Sequence, residues 1–515
     1  MRFGSVSLLL FCSVAGLSAQ RNTDPVGLAD GVHALFVDNQ NTRCNDAYTR
    51  TQALNPLTPW CNFSAGMAKT NLQPDDIIYV RGDGPAYNAD PGTGLNCYIQ
   101  PVGSGTSGHP ITLKAYNGEP ATLDGRWNAR YGGQSWTSVG GHPGWYQITA
   151  GWADTSTIVM TRSQFWNGSN LVPSRTTGAS DQWTPPDAKD WYMVDSNTRT
   201  IYFRPANGAS PNGYQTYFAG CGYGVVLDNG TGQSYWTFYG MHEIAYTVLG
   251  WTAGHGSSHI TFDHHVGSYN GNNTCDTSRD GTNGHSINYN GGSAGNLIIQ
   301  NSDISQDVSE GIHISNDSAG GELVTNNNIH DMGANLAWAS ECGRNYQDGS
   351  GIGNQAPGII TRATGGTYTN NTFNNNAYWG LTVESDDGSE GPGNPSNMTI
   401  AGNYFKNNFG AGVTGNCGLT VNCANDEVRN NCFDGNAYAL TFDGQVNLEG
   451  YDYQWNIHDN TIWHTPGGGF AFRDQSVTGS NTFVNNCVDG SCSCSAPNSK
   501  APAAPQNLRI VKGSN

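Results

Sequence analysis

The sequence predicts an all-β chain wound as a right-handed parallel β-helix solenoid, with a β-rich insertion subdomain. Three observations predict it. Short runs of alternating apolar and polar residues recur, such as "TYTNNTF" ending at Phe373 and "MTIAGNYF" ending at Phe405. Asparagine gathers at the ends of these runs, as at Asn370, Asn371, Asn374, Asn375 and Asn376. The 515 residues include 69 Gly and only 12% charged side chains, which suits many turns and excludes a charge-rich disordered chain.

Residues 1–20 read as a secretion signal. Arg2 supplies the positive start, "SVSLLLFCSVAGL" the apolar core, and "LSAQ" a small-residue cleavage site near Ala19. That core is too short to span a bilayer, and no later stretch is apolar enough to do so. The expectation is a secreted, extracellular, monomeric chain with no membrane or nucleic-acid partner. The net charge of -18 argues against nucleic acid, which requires a basic face. Of thirteen cysteines, Cys12 falls in the leader, and the remaining even number in an oxidising compartment favours disulfides. The spacings Cys44/Cys61, Cys417/Cys423 and Cys487/Cys492/Cys494 suggest loop staples.

Residues 21–125 read as an N-terminal cap and the first coils, and residues 219–495 as the main run of coils. In these, comparable runs end at Ile244, Val266, Ile304, Ile329, Phe373, Phe405, Phe433, Ile462 and Phe483. Their spacings are 22, 38, 25, 44, 32, 28, 29 and 21 residues. A minimum near one coil's length with occasional excess marks a solenoid whose turns accept extra residues. Two-residue periodicity excludes helical repeats, and chirality rules favour right-handed winding. Asparagine tolerates left-handed backbone, so the Asn-rich ends read as stacked corners.

On these coils, from about Tyr235 to Cys487, the chain resembles the right-handed parallel β-helix superfamily that contains pectate-lyase-like enzymes. Upstream, "PDDIIYVRGDGPAYN" and "GTSGHPITLKAYNGEPATLDG" are similar to the opening coils of its secreted carbohydrate-active members. The resemblance implies the fold and an extracellular polysaccharide as partner. That superfamily includes lyases, hydrolases, epimerases, esterases and adhesins, so the resemblance does not choose among them.

Residues 126–218 interrupt the repeat and hold Trp127, Trp136, Trp145, Trp152, Trp166, Trp183 and Trp191, half of the fourteen tryptophans. Runs such as "WYMVD" and "TIYFRP" read as strands of an insertion, placed as in some β-helix glycoside hydrolases. Its tryptophans either build its own core or offer flat faces to sugar rings. Residues 496–515 are a Pro/Ala/Ser-rich linker. Its "PAAPQNLRIV" resembles the first strand of a fibronectin type III module, which suggests a longer modular protein.

Aligning the Gly-led runs "GIHIS", "GLTVE", "GAGVT", "ALTFD" and "GFAFR" gives an outward column of Ser315, Glu384, Thr414, Asp443 and Arg473, with Asp228 upstream. Glu384 and Asp443, two coils apart, are expected about 10 Å apart at their Cα atoms. Inverting glycosidases hold two carboxyls ~6.5–9.5 Å apart, so this pair suits hydrolysis. Glu384, near Trp379, is expected as the acid and Asp443, held by Arg473, as the base. Arg473, Thr414, His313 and Trp379 are expected to bind substrate. No cofactor is required, although Ca²⁺ suits Asp386 and Asp387, or a second acidic corner of Asp303, Asp307 and Glu310.

Two other classes stand beside the hydrolase. A Ca²⁺-assisted polysaccharide lyase needs a basic residue in the groove, where Arg344, Arg362 or Arg473 qualify and Lys406, at a corner, does not. A non-catalytic carbohydrate-binding or adhesin solenoid needs neither. His255, His259, His264 and His265 cluster in sequence without the spacing of a metal site.

Overall fold

The structure, a computed structural model, describes residues 25–62, 72–87, 99–129, 133–149, 164–168, 170–173, 181–185, 187–227, 232–247, 249–254, 256–271, 284–290, 295–315, 320–333, 356–384, 395–416, 423–442, 452–465, 470–472, 481–488, 492–494 and 496. Residues 1–20, expected as a secretion signal, and residues 497–515, expected as linker, lie outside the described residues.

Three parallel sheets of twelve, ten and nine strands, here sheets 1, 2 and 3, run the length of the molecule. A full coil contributes one strand to each, while the first strands of sheet 1 precede those of the other two. One full coil, for example, passes from Thr367–Thr369 in sheet 1 to Thr372–Asn374 in sheet 2 and Leu381–Glu384 in sheet 3. The next returns to sheet 1 at Thr399–Ala401, paired in parallel with Thr367–Thr369. This winding is a parallel β-helix.

Alternation along each short strand sends every second side chain inward, and parallel register stacks like on like. Val324, Tyr368, Ile400, Val428 and Ile457 form one such column in sheet 1. In sheet 2, Phe373, Phe405 and Phe433 stack with ring centroids 4.8 and 5.0 Å apart. In sheet 3 the column is Ile312, Ile359, Leu381, Val413 and Leu440, each fully buried. Each such side chain contributes roughly 1.5–3 kcal/mol on burial, so the solenoid is held by a continuous apolar filling.

The asparagines make two corners, one on either side of sheet 2. At each, a residue in left-handed backbone precedes a buried ladder residue. Asn326, Asn370 and Asn430 have φ of 57°, 57° and 53°, and Asn375 and Asn407 55° and 51°. The first ladder runs Asn327, Asn371, Asn403, Asn431, Asn460 and Asn486. Each side-chain oxygen accepts the main-chain N–H and the amide N–H of the residue before it in that order. The second runs Asn376, Asn408 and Asn436 in the same manner. Buried amides cost little when fully paired, so the ladders satisfy corners that water cannot reach.

Between the strands Ala121–Asp124 and Met241–Ile244 the winding is interrupted by two four-stranded antiparallel sheets. One holds Tyr146–Thr149, Thr200–Arg204 and Trp191–Asp195, the other Arg126–Asn128, Thr216–Ala219 and Phe165–Asn167. Trp136, Phe165, Tyr192, Phe203 and Phe218 pack together between them. Trp127, Trp136, Trp145, Trp166 and Trp191 are all buried, so these five serve packing and offer no face to a ligand. Trp183 remains partly exposed, stacked on His142 at 4.1 Å. Trp152 lies outside the described residues.

Cys44–Cys61 and Cys487–Cys492 are disulfides, as the spacing suggests. Cys494 instead reaches back to Cys432, clamping the last coils across 62 residues of sequence. No helix among the described residues is long and apolar enough to cross a membrane.

Candidate functional site

The outward positions of sheet 3 form two rows of side chains, polar except at Ile360. Register places Asn288, His313, Ile360, Thr382, Thr414 and Thr441 side by side in one row. Two residues further along the strands, the second row passes from Ser315 through Arg362 to Glu384 and the position of Asn416. Arg362 occupies the coil that sequence spacing cannot register, because 45 residues separate Ile314 from Ile359.

Arg362 Nη2 lies 3.4 Å from Glu384 Oε2. Their side chains are 11% and 8% exposed, so the ion pair is recessed and less screened than a surface pair. Glu384 therefore sits beside a fixed positive charge. The expected role of proton donor thus meets a neighbouring cation that favours the ionised carboxylate.

Thr414 needs correction. Its strand, Ala411–Asn416, runs past the aligned "GAGVT", so Thr414 pairs with Thr382 and not with Glu384. Thr414 is fully buried and its hydroxyl accepts a 2.8 Å hydrogen bond from Thr441 Oγ1. Its place is in the wall of the face and not between two carboxylates. Trp379 is 8% exposed and packs against Tyr378, with ring centroids 3.8 Å apart, and against Gly410, where a Cβ would lie 2.8 Å from the indole. It supports the coil from within more than it offers a face. His313 does lie on the outer face, its side chain 12% exposed. Asp228, His255, Arg344, Asp386, Asp387, Asp443 and Arg473 lie outside the described residues. Phe442, the residue before Asp443, pairs with Gly415, the residue before Asn416. Lys406 ends a strand of sheet 2, away from this face.

The acidic corner Asp303, Asp307 and Glu310 does not converge on one point. Asp303 accepts from His330 Nε2 at 3.2 Å on sheet 2. Asp307 enters the second corner, where Oδ1 accepts from Asn270 N–H at 2.8 Å and Oδ2 from Ser286 N–H and Oγ at 2.7 and 2.6 Å. Asn270 Nδ2 also donates to Glu243 Oε1 at 2.7 Å and to Asp307 Oδ1 at 3.1 Å, bridging two fully enclosed carboxyl groups. Burial pushes Asp307 up to about 7, and burial together with the Asp307 charge pushes Glu243 well above the usual carboxylate range. Gly250 and Gly267 make room for this group: a Cβ on Gly250 would fall 2.3 Å from Glu243 Oε2.

Glu310 stands apart. His285 Nδ1 lies 2.8 Å from its Oε2 and His313 Nδ1 3.7 Å from its Oε1. Burial opposes ionisation of Glu310, but His285 outweighs it and holds the carboxyl well below its ordinary range. Burial lowers His313, with Arg362 adding to the effect, so the two stretches of the face are within electrostatic reach. His285, Glu243, Asn270 and Ser286 are missed by sequence reasoning. One signal was present: His285 precedes Glu310 by 25 residues, one coil's length. The described histidines of "HGSSHITFDHHV" have separate partners. His259 stacks on Tyr235 at 4.2 Å, His264 binds Asp263 at 2.6 Å, and His265 is buried against Trp251 and Phe262.

A family described as "Right handed beta helix region" matches residues 353–503. The fold is the right-handed parallel β-helix. Among solved structures, the β-helix is similar to one described as "Glycoside hydrolase", at 9% identity and TM-score 0.51, covering 88% of this chain and 97% of that one. A GH136 lacto-N-biosidase from Eubacterium ramulus is similar at 13% identity and TM-score 0.47, covering 88% of this chain and 67% of that one. Pectate lyase Pel9A is similar at 14% identity and TM-score 0.32, covering 89% and 77%. No curated protein matches the sequence. The resemblance read from the coils thus holds at the level of fold.

Proposed function

We propose that this β-helix is a secreted enzyme acting on an extracellular polysaccharide at the outer face of sheet 3, and that it hydrolyses a glycosidic bond. The observation that carries the reading is the recessed Arg362–Glu384 pair, set beside a row of hydroxyl, amide and imidazole side chains. Of that row Ile360, Thr382 and Thr414 are buried, so the half-buried Asn288 and Thr441 are the members that offer a sugar hydrogen bonds, beside one fixed carboxylate. The overall likeness to a glycoside hydrolase fold is consistent with it.

Glu384, ion-paired to Arg362, acts as the general base that activates water. Asp443 acts as the general acid, about 10 Å away at the Cα atoms if two coil spacings separate them. Side chains that lean together across two coil spacings bring their carboxyls into the ~6.5–9.5 Å range of inversion, in which a water must fit between the base and the anomeric carbon. Arg362 orients the sugar hydroxyls.

A lyase is the second reading, favoured by the position of Arg362 in the face. Against it, Arg362 is engaged by Glu384, and a guanidinium held by a carboxylate is a poor base. Incubation with neutral and acidic polysaccharides separates the readings. New reducing ends without ultraviolet absorbance of unsaturated uronates, lost in Glu384→Gln, are expected. Reducing ends together with that absorbance would establish the lyase. Binding without either product would establish a carbohydrate-binding solenoid.

A further inference from the structure

We propose that His285, Glu310 and His313 form a binding site for a divalent transition-metal ion of the Zn²⁺ class, separate from the Glu384 chemistry. The three come from neighbouring coils of sheet 3. Ile287 pairs with Ile312 and Asn288 with His313, and the same register sets His285 beside Glu310. His313 follows three residues later on the next coil's strand, Ile312–Ile314. One donor atom from each residue lies within 4.8 Å of the other two.

The spacing suits an ion. Ligand atoms bound tetrahedrally at ~2.0–2.1 Å stand about 3.4 Å from one another. Glu310 reaches His285 with Oε2 at 2.8 Å and His313 with Oε1 at 3.7 Å, on either side of that figure, so a rotation of the carboxylate presents one oxygen to both imidazoles. Two imidazoles and one carboxylate favour a borderline ion over Ca²⁺, which takes oxygen ligands. Three protein ligands leave one position open, and His313, the most exposed of the three, faces outward.

The surroundings fit as well. Ser309 Oγ donates to Glu310 Oε2, the kind of hydrogen bond that fixes a ligating carboxylate. Glu310 and His285 are 1% and 3% exposed, so a carboxylate is enclosed with imidazole as its neighbour. A divalent cation there balances the enclosed carboxylate in place of the imidazole that now lies against it. The two imidazoles already face each other with ring centroids 5.1 Å apart.

Chelator-treated full-length protein titrated with Co²⁺ tests this. One equivalent per chain is expected to give visible d–d bands of a four- or five-coordinate site, displaced by Zn²⁺. Zn²⁺ is expected to raise the melting temperature, and chelator to reverse the rise. In His313→Ala, whose side chain is at the rim, Co²⁺ affinity is expected to fall by more than about tenfold. Glu310→Gln is expected to do the same with imidazole ligands retained. Absence of bands and of any melting shift in the unaltered protein would overturn the proposal, whatever the variants do. Bands unchanged in both variants would also overturn it, placing the ion elsewhere.

Discussion

Arg362 and Glu384 face each other across adjacent coils of sheet 3, with guanidinium Nη2 3.4 Å from carboxylate Oε2 and both side chains about nine-tenths enclosed. An opposite charge at that distance favours the ionised carboxylate. Removing the cation is therefore expected to make Glu384 harder to ionise. In Arg362→Met, the acid limb of the kcat/KM profile on a hydrolysed polysaccharide moves to higher pH, by roughly 1–3 pH units. Glu384→Gln removes the limb and lowers kcat by about 10²–10⁴-fold. A profile that keeps its acid limb in place in Arg362→Met would separate Glu384 from the base role.

Asn430 and Asn431 are neighbours with different work. Asn430 is exposed with φ 53°, where glycine is at ease. Asn431 is buried; it donates to Ile400 O at 2.8 Å and to Asn460 Oδ1 at 3.0 Å and accepts from Asn403. Asn430→Gly is expected to change stability by less than about 1 kcal/mol. Asn431→Ala leaves several buried groups unpaired and is expected to cost about 3–5 kcal/mol. Chemical denaturation of the two variants checks the difference.

The enclosed carboxyls Glu243 and Asp307 set a pH dependence. Both have folded-state values raised above the unfolded ones, by burial first and, for Glu243, then by its neighbour's charge. Between about pH 4 and 7 the native state binds more protons than the unfolded chain, so stability falls as pH rises through this window. Glu243→Gln keeps an oxygen for Asn270 and removes a charge. It is expected to flatten the fall and to raise the melting temperature at pH 8 relative to the unaltered protein. Calorimetry at pH 5 and pH 8 measures this, and equal slopes in both proteins would refute it.

His330 acts at higher pH. Burial lowers its affinity for protons, but Asp303 at 3.2 Å and Asp331 at 2.6 Å outweigh burial and lift it to about 9. Its stabilisation is fully present below the ordinary imidazole value of about 6.5 and is lost as pH rises through about 9. His330→Gln is therefore expected to lose up to about 3 kcal/mol at pH 6 and almost nothing at pH 10. Denaturant midpoints at the two pH values show the contrast.

Gly250 offers a structural check. A Cβ there would meet the Glu243 carboxylate at 2.6 Å or less on three atoms. Gly250→Ala is expected to destabilise by about 1–3 kcal/mol, and Gly250→Ala with Glu243→Ala to recover most of it. A double variant no more stable than Gly250→Ala would show that the carboxylate is not what fills the space.

Much of the fold was legible because its causes are local. Two-residue alternation, left-handed Asn positions and a recurring coil length sit in consecutive residues, and parallel stacking follows once they repeat. The Cys44–Cys61 staple was readable for the same reason, since it closes a short loop, whereas which of Cys487, Cys492 and Cys494 pair was decided by the fold. The tertiary structure decided what depends on register between coils. Inter-coil hydrogen bonding, not sequence spacing, put Arg362 beside Glu384, moved Thr414 into the neighbouring row, and brought His285 to Glu310 across 25 residues. It also parted Asp303, Asp307 and Glu310, because successive residues around a corner point to different sides of the coil. A solenoid's sequence states its period, whereas the partners of each outward side chain are fixed by the coils above and below.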